Sequence, residues 1–431
     1  MGWNSYTCYW IAVREQEVKA NAGYMGKHLV QHGWQYVVID GMWYQDTGPV
    51  PGEIPWERTP FRLDPYGRLL PELRRFPSAA HEAGFKPLAD FVHNLGLKFG
   101  IHIMRGIPRA TVEANCPILG SPYRARDIAD TNDICPWYEE MFGMNMDHPG
   151  AQAYYDSLLA LYASWNIDYL KADDMEHPQY QRQHVEALAR AIARCGRPIV
   201  LSVSTGHHQD TSYAEHRKAH SQLWRIATDL HDGWPQIRET FEFLPRWMPH
   251  SGPGHWPDPD MLPLGKVHIR KSPPASQPNP TGFQGEGDPH MTKLSRDEQI
   301  TTMTLWCISR APLMFAGDLP SNDEWTLQLI ANPETLAVNQ RSSGNREVFR
   351  LHEVRVWDAM TEDGDSRYMA CFNLADDKPA SMLIPFMELS LSETCSLRDL
   401  WGRNEMGIFT NSVSVTIPPH GARLFKISPC H

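Results

Sequence analysis

An amphipathic helix followed by a buried strand recurs through the first two-thirds of the sequence, usually with a glycine between them. The copies are EVKANAGYMGKHLVQHG–WQYVVID, PLADFVHNLG–LKFGIHIM, YYDSLLALYASWN–IDYLKAD and HVEALARAIARCG–RPIVLSVS. In the first copy Val18, Ala22, Met25 and Leu29 have helical spacing, and Gly33 can take the left-handed conformation that ends a helix. The strands are nearly continuous apolar runs, which are typical of a parallel sheet covered on both faces. This alternation over roughly 300 residues predicts a (β/α)8 TIM barrel rather than a doubly wound sheet.

Two later stretches depart from this repeat. Residues 251–289 are rich in proline and glycine, which predicts loops without regular structure, serving as a lid, an oligomer contact or a plain loop. Helix returns after Ser295, which has capping-box spacing to Glu298, and PLMFAGD is interpreted as the last barrel strand. After about residue 340, EVRVWDAM, RYMACFNL, ASMLIPF and VSVTIPPHGARLFKI are short β-rich runs between turn signals. We therefore predict a barrel domain over residues 1–340 and an antiparallel β-sandwich domain over residues 341–431.

Composition and charge disfavour several classes of partner. The 431 residues carry a net charge of −11 and no run of Lys or Arg, so nucleic acid is not an expected partner. No apolar run is long enough to predict a membrane span, and no signal peptide is visible, so we expect a cytoplasmic protein unless a leader has been trimmed. The eight cysteines form no CxxC pair, which favours reduced thiols over disulfides or a zinc site. A homo-oligomer is compatible with these features.

Polar residues gather where the predicted barrel strands end, which is where this architecture carries its chemistry. DYLKADDM places Lys171 and Asp173 on one face at such an end and Asp174 on the other, because side chains alternate along a strand. The other strand ends supply Asp40, His102, Ser204, Arg225, Asp229, Asp258 and Asp260. Carboxylates with one Lys, one Arg and aromatic rings suit a carbohydrate, whose hydroxyls need donors and acceptors and whose apolar face needs a ring.

Simpler interpretations exist for some of these residues. An aspartate at a strand-to-helix turn is often only a helix N-cap. HHQD at 207–210 has neither the spacing nor the secondary structure of a known metal-ligand set, so we interpret it as a polar loop. The sequence has no phosphate loop, no serine nucleophile elbow and no cysteine nucleophile signature.

Eight motifs in the expected order resemble glycoside hydrolase family 27, the α-galactosidase and α-N-acetylgalactosaminidase family. They are MGWNSY, YVVIDGMW, LKFGIHI, DYLKADDM, LWRIATDLHDGW, WPDPDML, SRAPLMFAGDL, and RDLWG with IPPHGARLF. Each motif alone is weak, but eight in the right order are strong, and the likeness extends over nearly the whole chain. The resemblance implies an exo-acting glycosidase that needs no metal or organic cofactor.

The resemblance also implies a retaining mechanism through a covalent glycosyl-enzyme. Asp173 matches the family nucleophile and Asp229 matches the general acid/base, and such a pair is expected about 5–5.5 Å apart. Lys171 and Arg225 would stabilise the ionised nucleophile and bind sugar hydroxyls. The implied substrate-binding set is Tyr6, Asp40, Gly41, His102, Lys171, Ser204, Arg225 and Asp260. Asp174, on the opposite face of the strand, is expected to tolerate replacement by Asn far better than Asp173.

The sequence departs from the family pattern at the second and third strand ends. At the end of the second strand, the family has two adjacent acids that hold O4 and O6 of galactose, whereas this chain has Asp40 followed by Gly41. The change removes an expected acceptor for the axial O4. His102 stands where a tyrosine is usual.

A further departure follows the fifth strand, where α-galactosidases carry a glutamate near O2 and this chain has Ser204. A small residue there is the N-acetylgalactosaminidase pattern, although the second small position is the bulky His207. Met175 replaces a family cysteine, so that disulfide is not expected. The sequence favours α-galactosides or α-N-acetylgalactosaminides and leaves α-glucosides and β-L-arabinopyranosides open. A non-catalytic carbohydrate-binding protein is the alternative from another class.

Overall fold

The computed structural model describes residues 1–45, 60–205, 210–270 and 288–430, and contacts divide the chain into two compact units. The first unit contains Met1–Asp229, Gly265–Met291 and Met314–Ser321, and the second contains Leu230–Leu264, Thr292–Leu313 and Asn322–His431. The domain boundary predicted after residue 340 stays a prediction. Within the described ranges, no helix is long and apolar enough to cross a lipid bilayer.

Eight strands form the set that a (β/α)8 fold requires. They are β1 (Gly2–Asn4), β2 (Tyr36–Ile39), β3 (Lys98–Met104), β4 (Tyr169–Asp173), β5 (Val200–Val203), β6 (Leu223–Arg225), β7 (Trp256–Asp258) and β8 (Met314–Phe315). All except β7 belong to the first unit, where they lie in the order β6-β5-β4-β3-β2-β1-β8 with parallel neighbours. The predicted fold class is therefore confirmed.

Helices alternate with these strands along the chain. The first unit has α1 (Glu15–His28), α2 (Lys86–Asn94), α3 (Pro149–Ser164), α4 (Arg182–Arg194) and α5 (Ala214–His220). The second unit has α6 (Trp234–Trp247), α7 (Arg296–Ile308), α8 (Glu324–Ile330) and α9 (Pro333–Arg341). The predicted capping box of α7 is present, since the Ser295 side chain accepts from the Glu298 amide and the Glu298 carboxylate accepts from the Ser295 amide.

The first repeat folds largely as its pattern predicts. Val18, Ala22, Met25 and Leu29 are all fully buried, although α1 itself ends at His28. Gly33 has a φ of 91°, the left-handed conformation expected of it. It ends the short 3-10 turn Val30–His32 rather than α1 directly.

Strand register places the site residues side by side. His102 on β3 pairs with Lys171 on β4, and Met104 pairs with Asp173. Gly100 allows this close pairing, because a Cβ there would lie only 2.8 Å from the Cβ of Tyr169 and 2.9 Å from its carbonyl oxygen. The carboxyl ends of β3 and β4 therefore meet at one edge of the sheet.

Two small antiparallel elements were not predicted. Between β3 and α3, the strands Ile107–Pro108, Ala129–Ile134 and Met141–Met144 form a three-stranded sheet. The expectation that residues 251–289 lack regular structure is wrong for the described part, because β7 lies there and Lys266–Val267 pairs with His290–Met291. Residues 271–287 lie outside the described ranges.

The C-terminal strands belong to the second unit and form the predicted antiparallel sandwich. They are β9 (Ser343–Leu351), β10 (Val354–Met360), β11 (Arg367–Asn373), β12 (Ala380–Pro385), β13 (Thr394–Asp399), β14 (Asn404–Thr410), β15 (Ser412–Ile417) and β16 (Ala422–Pro429). One sheet has the order β9-β10-β11-β16-β13-β14, and the other pairs β12 with β15. Buried side chains from both sheets, among them Val356, Ile384, Val415 and Phe425, pack into one core.

Candidate active site

Asp173 ends β4 with its side chain about one-quarter exposed. One carboxylate oxygen accepts the Asp174 backbone N–H at 2.8 Å, and the other lies 3.4 Å from Nε2 of His102. Burial alone would raise the pKa of Asp173. The His102 hydrogen bond and charge, the Lys171 charge and the Asp174 amide outweigh burial, so the pKa lies below its ordinary value. The geometry therefore keeps Asp173 ionised at neutral pH.

Asp40, directly after β2, sits in a buried ion pair with Lys171. Its Oδ2 accepts from Lys171 Nζ and from Asn4 Nδ2, both at 2.8 Å, while Oδ1 accepts the Gly41 amide at 2.8 Å. Burial would raise the pKa of Asp40, but the nearby positive charges of Lys171 and His102 hold it well below its ordinary value. The sequence analysis did not single out Asn4, although it lies inside the MGWNSY motif.

Tyr6 lies near three of the carboxylates of the first unit. Its pKa is raised well above its ordinary value by loss of solvent, and then by the negative charges of Asp229, Asp40 and Asp173. These three carboxylates therefore all lie within electrostatic range of one phenol. Lys171 Nζ lies 5.7 Å from the centre of the Tyr6 ring.

Asp229 is held by the last residue of β6. Nη2 of the buried Arg225 donates to Asp229 Oδ1 at 3.0 Å and to the Ala227 carbonyl at 3.0 Å. About one-third of the Asp229 side chain stays exposed. A carboxyl group held this way has a fixed position and remains accessible, as proton transfer to a substrate requires.

Gly41, His102 and Ser204 line the same strand ends. A Cβ on Gly41 would lie 3.6 Å from Nδ1 and Cε1 of His102, so the His102 ring borders the position of the missing side chain. Ser204 directly follows β5, and its amide donates to the Ala172 carbonyl at 2.8 Å, which places it beside the end of β4.

Asp174 and Arg105 form an ion pair that the sequence analysis did not anticipate. Asp174 has a φ of 60°, and its buried carboxylate accepts from Nη2 of Arg105 at 2.8 Å. Arg105 also donates to Asp133, and its backbone N–H binds the Asp173 carbonyl at 3.0 Å. Burial raises the pKa of Asp174 to about 7; Arg105 opposes the rise, and Asp173 and Asp133 add to it. Asp174 thus braces the loop behind Asp173, and the expectation that Asn is tolerated far better there than at Asp173 stays a prediction.

Asp260 lies in the second unit, where it binds groups of neighbouring residues. Its carboxylate accepts the Leu230 amide at 2.7 Å, and its own amide donates to Asp258 Oδ1 at 2.9 Å. Its φ is 89°, and its carbonyl accepts from the Trp306 indole at 3.0 Å. The predicted role of Asp260 in sugar binding stays a prediction.

Comparison with known proteins supports a glycosidase. Residues 136–278 match the sequence profile of alpha galactosidase A, and residues 352–427 match that of the alpha galactosidase C-terminal beta sandwich domain. The crystal structure of a family 27 β-L-arabinopyranosidase from Geobacillus stearothermophilus is similar with a TM-score of 0.93 and 44% identity, over 100% of this chain and 96% of that one. The chain belongs to glycoside hydrolase family 27.

Other family 27 relatives differ in the sugar they are named for. A Bacillus halodurans structure provisionally named an α-N-acetylgalactosaminidase is 41% identical with a TM-score of 0.87, over 100% of this chain and 97% of that one. The α-galactosidase of Cyamopsis tetragonoloba is 24% identical over 100% of this chain and 86% of its own length. Membership of family 27 makes the chain an α-galactosidase-like glycoside hydrolase, so the predicted family and enzyme class are confirmed.

Proposed function

We propose that this glycoside hydrolase releases terminal β-L-arabinopyranose with retention of anomeric configuration. The observation that carries this proposal is the 44% identity, over the whole chain, to a β-L-arabinopyranosidase. The proposal revises the ranking from sequence, which put α-galactosides and α-N-acetylgalactosaminides first.

The strand end at Asp40 and Gly41 supports the revised ranking. β-L-Arabinopyranose has the configuration of α-D-galactopyranose from C1 to C4 but lacks the hydroxymethyl group that carries O6. A site for galactose needs acceptors for both O4 and O6, and this strand end supplies one carboxylate instead of the family's two. We assign the acceptor lost at Gly41 to O6 rather than to the axial O4 named in the sequence analysis, since β-L-arabinopyranose keeps O4. A sugar without O6 then leaves no hydroxyl unpaired there, and an unpaired polar group would lower affinity.

The mechanism we propose uses two carboxylates in turn. The ionised Asp173 attacks the anomeric carbon while Asp229 gives its proton to the glycosidic oxygen, and the aglycone leaves as an alcohol. Asp229, now a carboxylate, then takes a proton from water as the water oxygen attacks the same carbon. Asp173 is released, and Asp229 is protonated again. The contacts that keep Asp173 ionised support the nucleophile role.

A second candidate is an α-N-acetylgalactosaminide, which Ser204 favours. Its side chain is small and neutral, so it would leave room for a 2-acetamido group where a glutamate would not. The Bacillus halodurans relative is provisionally named for this activity.

A panel of nitrophenyl glycosides separates these candidates. Initial rates would be measured on β-L-arabinopyranoside, α-D-galactopyranoside, α-N-acetyl-D-galactosaminide and α-D-glucopyranoside. We expect the arabinoside to have the highest kcat/KM, roughly 10- to 100-fold above the galactoside, as one mismatched group in a sugar pocket typically produces. A higher kcat/KM for the galactoside or the galactosaminide would refute the arabinopyranosidase proposal and leave the family mechanism untouched.

A further inference from the structure

Glu186 on α4 and His216 and His220 on α5 form a cluster in the first unit, apart from the residues assigned to glycoside cleavage. One potential ligand atom from each side chain lies within 4.8 Å of the other two. Glu186 Oε1 is 2.9 Å from Nε2 of His216, and the two imidazole ring centres are 4.4 Å apart. The two histidines are four residues apart on one helix, so both rings project from the same face.

A contact with Tyr180 fixes the orientation of the His216 ring. Its Nδ1 lies 2.9 Å from the hydroxyl of Tyr180, which leaves Nε2 directed at Glu186. Arg217 covers the Tyr180 ring at 4.8 Å from its centre and binds Glu176 at 3.0 Å, so the tyrosine is itself held. Metal-binding histidines characteristically have their second ring nitrogen engaged in this way.

We propose that Glu186, His216 and His220 bind a divalent transition metal of the Zn²⁺ type. Two imidazoles and one carboxylate are ligands that Zn²⁺ accepts, and three protein ligands leave a fourth tetrahedral position for water. The bound ion would join α4 to α5 on the outside of the sheet and stabilise the first unit.

Two arginines compete with the metal for Glu186. Arg182 lies 3.1 Å from its carboxylate and Arg190 lies 3.5 Å away, with side chains 62% and 49% exposed. Exposed pairs of this kind contribute little, so both guanidinium groups can turn to solvent when a cation binds. Removing one of them takes a positive charge away from the neighbourhood of the bound cation, so it should strengthen metal binding.

Metal titration of the full-length enzyme tests the site. After dialysis against a chelator, ZnCl₂ would be titrated in competition with a chromophoric chelator into wild type, Glu186→Gln, His216→Ala and His220→Ala. We expect each variant to bind one equivalent less than wild type. His32→Ala, which removes a histidine on another surface turn, should bind as many equivalents as wild type.

Thermal unfolding and a fifth variant, Arg190→Ala, complete the test. Zn²⁺ at about 100 times its Kd should raise the Tm of wild type by about 3–5 °C and leave that of His220→Ala unchanged. Arg190→Ala should bind Zn²⁺ several-fold more tightly than wild type. Retained turnover of an aryl glycoside shows that each variant is folded. If a histidine variant does not fold, Glu186→Gln still tests the site. Equal Zn²⁺ equivalents in wild type and all three ligand variants would overturn the proposal, as would weaker binding by Arg190→Ala.

Discussion

Replacing Lys171 by methionine tests how much the buried ion pair between Lys171 and Asp40 stabilises the protein. Lys171 and Asp40 have side chains only 12% and 3% exposed and lie 2.8 Å apart. Methionine keeps most of the aliphatic volume and removes the charge. Asp40, whose carboxylate is almost fully buried, then keeps the Asn4 and Gly41 hydrogen bonds and the nearby charge of His102 but loses its ion pair.

The magnitude follows from the distance and the burial. At 2.8 Å and an effective dielectric of about 20, the attraction is about 6 kcal/mol. Part of this is offset by desolvation, and breaking such a pair typically costs about 3–5 kcal/mol. For an unfolding unit of roughly 260 residues or more, that corresponds to a Tm lower by about 4–9 °C.

Differential scanning fluorimetry at neutral pH measures the effect, with Lys86→Met as the matched control. Lys86 lies 2.6 Å from Asp90, but these side chains are 52% and 44% exposed, so its replacement should lower Tm by about 1 °C or less. If Lys171→Met lowers Tm no more than Lys86→Met does, the buried pair does not stabilise the fold as we argue.

Lowering the pH should reduce the difference in Tm between wild type and Lys171→Met. The depressed pKa of Asp40 means that its stabilising contribution is present above the unfolded pKa of about 4 and is lost only as pH falls through the lower folded value. In the variant the folded pKa of Asp40 rises, so the carboxylate is protonated at a higher pH and the burial penalty disappears. The difference in Tm should therefore be constant above about pH 6 and shrink toward pH 4.

Three further changes test the assigned roles. His102→Phe removes a contact that lowers the pKa of Asp173, so the acidic limb of the kcat/KM profile should move to higher pH; an unmoved limb would separate His102 from the nucleophile. Gly41→Asp adds a carboxylate at a position where the backbone φ is not positive and a Cβ meets only ordinary contacts, so the variant should fold, which its Tm checks. The added acceptor should raise the ratio of kcat/KM for α-galactoside to kcat/KM for β-L-arabinopyranoside by roughly 10-fold or more. Asp229→Ala should retain far more activity on an activated aryl glycoside than on a disaccharide. Azide, which attacks the glycosyl-enzyme without needing a general base, should yield a glycosyl azide of retained configuration; equal losses on both substrates would remove Asp229 from the acid role.

Much of the site could be predicted because strand alternation is a strict rule. Lys171 and Asp173 project together from β4, and His102 pairs with Lys171 in the observed register. Short polar segments directly after the strands carry Asp40 and Ser204, so the position of each strand end was sufficient to locate them. The separation between the Asp173 and Asp229 carboxylates depends on side-chain conformations and is not encoded in sequence spacing.

Other features had no local signal. The Arg105–Asp174 pair joins residues 69 positions apart, and the Glu186–His216 contact joins residues 30 positions apart on different helices. The strand Ala129–Ile134 reads ADTNDI, whose polar residues lack the alternation that predicts a strand. Asp174 is a further example. The sequence placed its carboxylate on the opposite face of β4 from Asp173, but only the structure shows that this carboxylate is buried against Arg105, which also binds Asp133.

Trapping the covalent intermediate tests the central claim most directly. The enzyme would be incubated with a 2-deoxy-2-fluoro β-L-arabinopyranosyl fluoride. The fluorine at C2 slows both formation and breakdown of the glycosyl-enzyme, and the fluoride leaving group at C1 speeds formation alone, so the intermediate accumulates. After proteolysis, mass spectrometry would locate the added sugar, with Asp147→Asn as a control for loss of an exposed carboxylate and Asp173→Asn as the variant without a nucleophile. We predict one sugar per chain on Asp173, in wild type and in Asp147→Asn but not in Asp173→Asn. A sugar on any other residue, or labelling of Asp173→Asn equal to that of wild type, would contradict the assignment of Asp173 as the nucleophile.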